Sequence, residues 1–306
     1  MNLKYLITKR FKNWFIYVLV RFFFFLLQIM PRQVAYLVLT RISLLCYYLI
    51  PDARQKTRRH LTLVFGKEKS PEQIRQMSKE VFRNLGRNAT DMFRIQKALK
   101  KDPYRYVSVR GLEHLDQALA RGKGVIVITG HIGCWELLAG FFSSIGYSAA
   151  VVGTPLYDPR LDAMLIKNRT SVGLTNINRD RGARQILKEL HSNHILGILI
   201  DQDTKVDGVF VDFLGMPALT PVGPVTLAMK TGASIVPMSI HIQPDNRHLI
   251  EVEAMIPLQI SNNRQLDRQI NTARCSQAVE RMLLKDPTQW VWMHERWKTK
   301  PGEANK

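Results

Sequence analysis

His131 and Glu136 are the first residues whose types and spacing can do chemistry. They stand in the run Gly130-His131-Ile132-Gly133-Cys134-Trp135-Glu136, directly after a strand-length apolar segment, residues 124–129. On a regular helix five positions turn about 500°, so the two side chains would diverge by roughly 140°. They meet only if His131 stands on a turn ahead of a helix that carries Glu136 in its first turns. Gly130 and Gly133 supply the backbone freedom such a turn needs. A neutral imidazole there takes a proton from a hydroxyl while a carboxylate holds the other ring nitrogen. The helix N-terminus nearby favours a phosphate or a developing oxyanion. The same spacing also suits a turn histidine beside a capping glutamate, and spacing alone does not choose.

A second cluster, Asp201-Gln202-Asp203, follows another apolar segment, residues 195–200. Two carboxylates at a strand end can orient catalytic groups, hydrogen-bond a sugar or hold a loop. A calcium loop is excluded, because Val206 stands where the required glycine would be and Asp212 where the closing glutamate would be. His191 and His194 have no cysteine nearby and read as surface histidines. Cys46, Cys134 and Cys275 are far apart and form no Cys-x-x-Cys, which argues against a disulfide framework and a structural zinc. No metal or organic cofactor is expected. Neither a Gly-x-Ser-x-Gly elbow nor a Gly-x4-Gly-Lys-Ser/Thr loop occurs, so serine hydrolases and P-loop NTPases are set aside.

These residues need elements to position them. From Tyr106 onward apolar runs of strand length alternate with amphipathic stretches. Strands are expected at 124–129, 149–152, 174–177, 195–200, 234–242 and 248–256. Helices are expected at 134–144, 160–172, 182–191, 221–230 and 266–285. That alternation predicts an α/β fold: a mixed, largely parallel sheet flanked by helices, preceded by an N-terminal membrane-anchoring helical segment. Ligands of such sheets sit beyond the carboxyl ends of strands, where both clusters lie. The tryptophans Trp290, Trp292 and Trp297 read as core.

The 306-residue chain is 46% hydrophobic and carries a formal charge of +19. Of that, +17 falls in residues 1–110. Residues 14–30 form an apolar run with one charge, Arg21; at 17 residues it would span about 25 Å as a helix. Residues 34–50 form a second run of equal length, with Arg41. Lys4, Lys9, Arg10 and Lys12 precede the first run, but no small-x-small cleavage pattern follows Leu27, so a retained anchor is expected. One span, a shallow hairpin, and a span plus an interfacial helix all fit. Residues 54–101 continue as a basic, helix-period stretch with a helix start at Pro71. The predicted organisation is therefore an anchor at 1–50, a basic collar at 51–105 and an α/β domain at 106–306. A basic nucleic-acid-binding protein explains the charge, but not why the charge borders apolar runs, so nucleic acid is not expected as a partner.

The Gly-His-Ile-Gly-Cys-Trp-Glu box resembles the signature of the lysophospholipid acyltransferase superfamily, and within it the bacterial lipid A late (lauroyl/myristoyl) acyltransferases. Asn168-Arg169 with Val172-Gly173, Asp201-Gln202-Asp203 with residues 208–215, Ile235-Val236-Pro237 and the tail Gln289–Trp297 are similar to further blocks of that branch. One departure is Leu214, where many relatives have a phenylalanine. The resemblance implies a membrane-bound O-acyltransferase at the cytoplasmic side of a bacterial inner membrane. It would move a fatty acyl chain from an acyl carrier protein, or acyl-CoA, to a hydroxyl of a phosphorylated lipid A precursor. A lysophospholipid, glycolipid or aminolipid is the alternative acceptor. His131 would remove the hydroxyl proton and Glu136 would orient His131. Arg169 would bind an acceptor phosphate or the oxyanion, unless it is a surface helix charge. Asp201, Gln202 and Asp203 would bind substrate.

Overall fold

The N-terminal helices pack on one another before the sheet begins. A computed structural model describes residues 3–204 and 206–302; the side chains of Lys4, Lys9 and Arg10 lie outside the described residues. Helices α1 (Leu3–Ile29), α2 (Arg32–Leu49), α3 (Pro51–Phe65), α4 (Pro71–Phe93) and α5 (Ile95–Leu99) follow in order. Pro31 separates α1 from α2, because proline cannot donate to a helical ladder. The start of α4 is fixed by a capping box: Ser70 Oγ accepts from Gln73 N, the Gln73 side chain accepts from Ser70 N, and Pro71 occupies the first helical position. The second apolar run does not stand free of the body. Ser43 Oγ donates to Phe82 O at 2.6 Å, and the Tyr47 ring packs edge-on against Phe82 at 5.3 Å. The α2 backbone approaches α4 closely at Gly86, where a Cβ would lie 2.5 Å from Leu39 O.

The sheet forms next. It comprises β1 (Val107–Arg110), α6 (Leu112–Leu119), β2 (Val125–Thr129), α7 (Trp135–Ser144), β3 (Ala149–Gly153), α8 (Pro159–Thr170), β4 (Thr175–Asn178), α9 (Ala183–His191) and β5 (Ile195–Leu199). A two-stranded ribbon, β6 (Gly208–Phe213) and β7 (Met216–Pro221), then precedes α10 (Gly223–Thr231), β8 (Ser234–Ile242), β9 (His248–Val252) and α11 (Arg264–Leu284). The strand order is β1-β9-β8-β2-β5-β3-β4. Every pairing is parallel except β8 with β9. The expected mixed, largely parallel sheet is therefore present, and three strands were not announced by the sequence pattern: β1 at its edge and the separate β6–β7 pair.

Central β2 is buried at all five positions, which is why it reads as an unbroken apolar run. Its alternate side chains divide the core. Ile126 and Ile128 join α9, α10, α11 and the C-terminal tryptophans on one face. Val125 and Val127 join α5, α6 and α7 on the other.

Candidate active site

Strand register brings the catalytic candidates together. β2 and β5 are parallel neighbours in which Thr129 faces Leu199. His131 and Asp201 each lie two residues beyond those ends, so both leave the sheet at the same height. The His131 Nδ1 lies 2.8 Å from Asp201 Oδ1, and the His131 backbone N–H donates to Asp201 Oδ2 at 2.6 Å. Trp290 Nε1 donates to the same Oδ2 at 2.7 Å. The contact expected from Glu136 is thus made by Asp201. The local spacing pointed to the nearest acid in sequence, whereas sheet adjacency supplies one seventy positions away.

Asp201 is fully buried. Burial pushes its carboxyl pKa up, but the His131 ring opposite and the hydrogen bonds from His131 and Trp290 outweigh it and hold the group at about 2. An ionised carboxylate only accepts, so Nδ1 carries its proton toward Asp201 and Nε2 is left as the free acceptor. The His131 ring rests edge-on against Trp135 at 4.9 Å between centroids.

The turn that presents His131 is sterically over-determined. At Gly130 a Cβ would lie 3.0 Å from Asp201 Oδ2, so the glycine lets the carboxylate reach the His131 amide. At Gly133, φ is +55° and a Cβ would lie 2.0 Å from Ile240 O, so no other residue fits. The C-terminal tail closes the turn from below. Gly133 N donates to Gln289 O at 2.9 Å, and the Gln289 side chain exchanges hydrogen bonds with the Ile242 backbone. The tryptophans are core, as expected, yet Trp290 also reaches the site, a role that no spacing signal gives.

Glu136 stands in the first turn of α7, as expected, but its carboxylate pairs with Arg169 and not with His131. Its carboxylate accepts from Arg169 Nε at 2.8 Å and from Nη2 at 2.6 Å, a bidentate pair. The third Arg169 nitrogen donates to Asn176 Oδ1 on β4. Both members are largely buried, so Arg169 is no surface charge. Its neighbour Asn168 donates to Met92 O at 2.7 Å and ties α8 to α4. Gln202 lines the cavity described below. Asp203 does not: it is buried, accepts from Thr299 N at 2.9 Å, and its own N–H donates to His294 Nε2 at 3.2 Å. The expectation that Asp201 and Asp203 contact substrate is therefore corrected. The first carboxylate is spent on His131 and the second on the tail. His194 pairs with Glu189 at 2.7 Å, away from the site. Among the described residues no group of three His, Cys, Asp or Glu is placed to hold a metal.

His131, Glu136 and Arg169 open into one cavity of about 990 Å³. That is at the upper end for small-molecule sites. Its walls are mainly apolar, including Val20 and Phe24 of α1, Leu161 and Met164 of α8, Ile198 and Leu227. A long hydrocarbon chain suits such walls, and the polar groups concentrate at the strand ends.

The site thus presents a histidine fixed by a buried carboxylate, with its ring lining a mainly apolar cavity. Residues 3–299 match the bacterial lipid A biosynthesis acyltransferase family, and the chain belongs to that family. A phosphatidylinositol mannoside acyltransferase of Mycobacterium tuberculosis (strain ATCC 25618 / H37Rv) is 33% identical over 133 residues, 42% of each chain. The lipid A biosynthesis lauroyltransferase of Escherichia coli (strain K12) is 26% identical over 201 residues, 64% of this chain and 63% of that one. A lipid A biosynthesis acyltransferase of Haemophilus influenzae is 25% identical over 195 residues, covering 63% of this chain and 60% of that one. The chain thus spans between 42% and 63% of the length of these relatives.

Trp290 offers a test of the carboxylate's environment. In Trp290→Phe the ring still packs against Trp292, whose centroid is 4.7 Å away, but a donor to Asp201 is gone. A hydrogen bond to a charged group contributes about 1.5–3 kcal/mol. The folded Asp201 pKa is depressed, so its stabilisation is complete above the unfolded value near 4 and is lost as pH falls toward 2. The variant is expected to be less stable than the wild type at pH 7, with the gap narrowing at pH 3. Denaturant unfolding at the two pH values measures both, and an unchanged gap counts against the assignment.

Proposed function

We propose that this protein is a membrane-associated O-acyltransferase that moves a fatty acyl chain from an acyl thioester to a hydroxyl of a lipid A precursor. The observation that carries this reading is the His131–Asp201 pair, whose imidazole lines the mainly apolar cavity of about 990 Å³. His131 Nε2 takes the acceptor hydroxyl proton, and the oxygen attacks the thioester carbonyl carbon. The tetrahedral oxyanion collapses with cleavage of the C–S bond. The proton on Nε2 passes to the leaving thiolate, giving an ester and a free thiol. Asp201 stays ionised, orients the ring and stabilises the imidazolium formed in between.

Arg169 has five N–H donors. Three are engaged with Glu136 and Asn176. The remaining two serve an acceptor phosphate or the oxyanion, with Glu136 holding the guanidinium in place. Gln202 contributes a polar contact at the cavity wall. Acyl carrier protein, or coenzyme A, carries the donor thioester, and no cofactor is required for transfer from an activated thioester.

Membrane association rests on the apolar stretch of α1 and the family. In this reading the protein sits at the bacterial inner membrane with its α/β portion on the cytoplasmic side. The mannoside acyltransferase relative supports a second reading, in which the acceptor is a phosphorylated glycolipid other than a lipid A precursor. Purified protein in mixed micelles, given acyl carrier protein or coenzyme A thioesters, tests both. Mass spectrometry should show one added acyl chain on the lipid A precursor. Transfer to a mannosylated phosphoinositide alone selects the second reading, and transfer to neither overturns both.

A further inference from the structure

We infer that α1 lies along one leaflet of the bilayer instead of crossing it, with the loop after β3 inserted beside it, so that the catalytic cavity opens onto the lipid surface. Lys12–Ile29 is apolar enough to cross, and its 18 residues extend about 27 Å. Yet the body occupies one side of that same stretch. The Arg160 guanidinium sits 4.8 Å from the Tyr17 ring centroid. Val20 and Phe24 wall the cavity, and Phe24 packs edge-on against Phe93. Gln28 Nε2 donates to Phe93 O at 2.6 Å, and Arg94 donates to Met30 O at 2.7 Å. Lys97 donates to Gln28 O.

A span over these residues would put Val20 and Arg21 near the bilayer centre. It would draw Arg160, which meets α1 at Tyr17, and the polar groups lining the cavity beside Val20 and Phe24 toward hydrocarbon, an environment in which charged groups are costly and rare. Lying in the leaflet avoids that cost. The side of α1 turned from the body exposes Phe15, Val18, Phe22, Phe25 and Ile29, with Lys12 and Arg21 also exposed to meet headgroup phosphates.

The loop between β3 and α8 continues this surface. Tyr157 is 68% exposed, and Leu156 is exposed while also lining the cavity. Leu156 N donates to Asp162 Oδ1 at 3.0 Å, and Asp158 caps α8, so the loop is held in shape while showing apolar side chains to solvent. Arg160, two residues beyond Asp158, joins the loop to α1 through Tyr17. Two elements that line one cavity thus both present large apolar side chains to solvent. A lipid acceptor whose chains stay in the leaflet reaches His131 between those elements without leaving the membrane.

This inference rests on the membrane association proposed above but not on the choice of donor or acceptor. Cosedimentation of the full chain with phosphatidylethanolamine/phosphatidylglycerol vesicles tests that association separately, and a chain left in the supernatant overturns both. For topology, a full chain with an N-terminal epitope tag is treated with protease in spheroplasts and in inverted inner-membrane vesicles. The tag should be cleaved only in inverted vesicles, on the same side as the body; cleavage in spheroplasts overturns the in-plane helix. For depth, Phe22→Cys and Tyr157→Cys are made in a Cys46→Ser background, where Cys134 and Cys275 are buried. Each is labelled with a polarity-sensitive fluorophore and mixed with vesicles carrying spin labels at shallow or deep acyl positions. Both labels should blue-shift and be quenched most by the shallow position. Strongest quenching of the Phe22 label by the deep position overturns the in-plane helix, and an unshifted Tyr157 label overturns the loop.

Discussion

His131→Ala should keep its fold and lose acyl transfer almost entirely, and Asp201→Asn should fall to within about tenfold of it. General-base catalysis contributes about 10²–10⁴-fold, and exchanging the carboxylate behind a catalytic imidazole for an amide costs about 10⁴-fold where a serine nucleophile is activated in this way. The geometry explains why the amide should be so damaging here. Three donors converge on the Asp201 carboxylate: the His131 amide and Trp290 Nε1 on one oxygen, and His131 Nδ1 on the other. An asparagine has one acceptor oxygen, so its NH₂ must face one of those donors. Where it faces Nδ1, the ring must accept there, and the proton moves to Nε2, the atom that has to be free. The measurement is steady-state transfer alongside thermal unfolding. Because the two residues act as one unit, the double variant should be no slower than His131→Ala. An Asp201→Asn enzyme within tenfold of wild type would remove Asp201 from the mechanism.

How much of this was legible before folding differs element by element. The turn carrying His131 was readable, because a buried strand, two glycines and a helix start are local signals. So was the start of α4, where a serine, a proline and a glutamine at fixed offsets define a capping box. The partner of His131 was not readable. β2 and β5 become neighbours only after β3 and β4 have been laid to one side, and no spacing rule encodes that order. Glu136 drew the assignment because it lies five residues away in a box that resembles the family signature. The β6–β7 hairpin was hidden for a different reason. Its two-residue turn has φ +55° at Leu214 and +76° at Gly215, the positive pair of a type I′ turn, and leucine in place of asparagine at the first position erases the usual signature. Asp203 misled through symmetry. The sequence offers two equivalent carboxylates around Gln202, whereas the chain bends at Gln202 and Asp201 reaches His131 while Asp203 reaches the tail.

Glu136→Gln should lower kcat by about 10- to 100-fold, and the interpretation depends on what the same change does when Arg169 is absent. If Glu136 acts by holding Arg169, then in an Arg169→Met background its removal should cost almost nothing more, because the carboxylate's described partners are both on that guanidinium. If Glu136 instead acted on His131, the loss would be as large in either background. The double-mutant cycle separates the two without requiring either residue to be dispensable. Stability must be followed in parallel. Removing one partner of a buried ion pair costs about 3–5 kcal/mol because the other charge is left uncompensated, whereas removing both is far milder. The double variant is therefore expected to be more stable than Glu136→Gln in an otherwise intact chain, though no more active. Arg169→Lys should not rescue, since a single ammonium cannot engage both carboxylate oxygens and Asn176 in the planar fork that this site uses. Full activity in Arg169→Lys would show that only a positive charge is needed there, and the bidentate pair would lose its place in the mechanism.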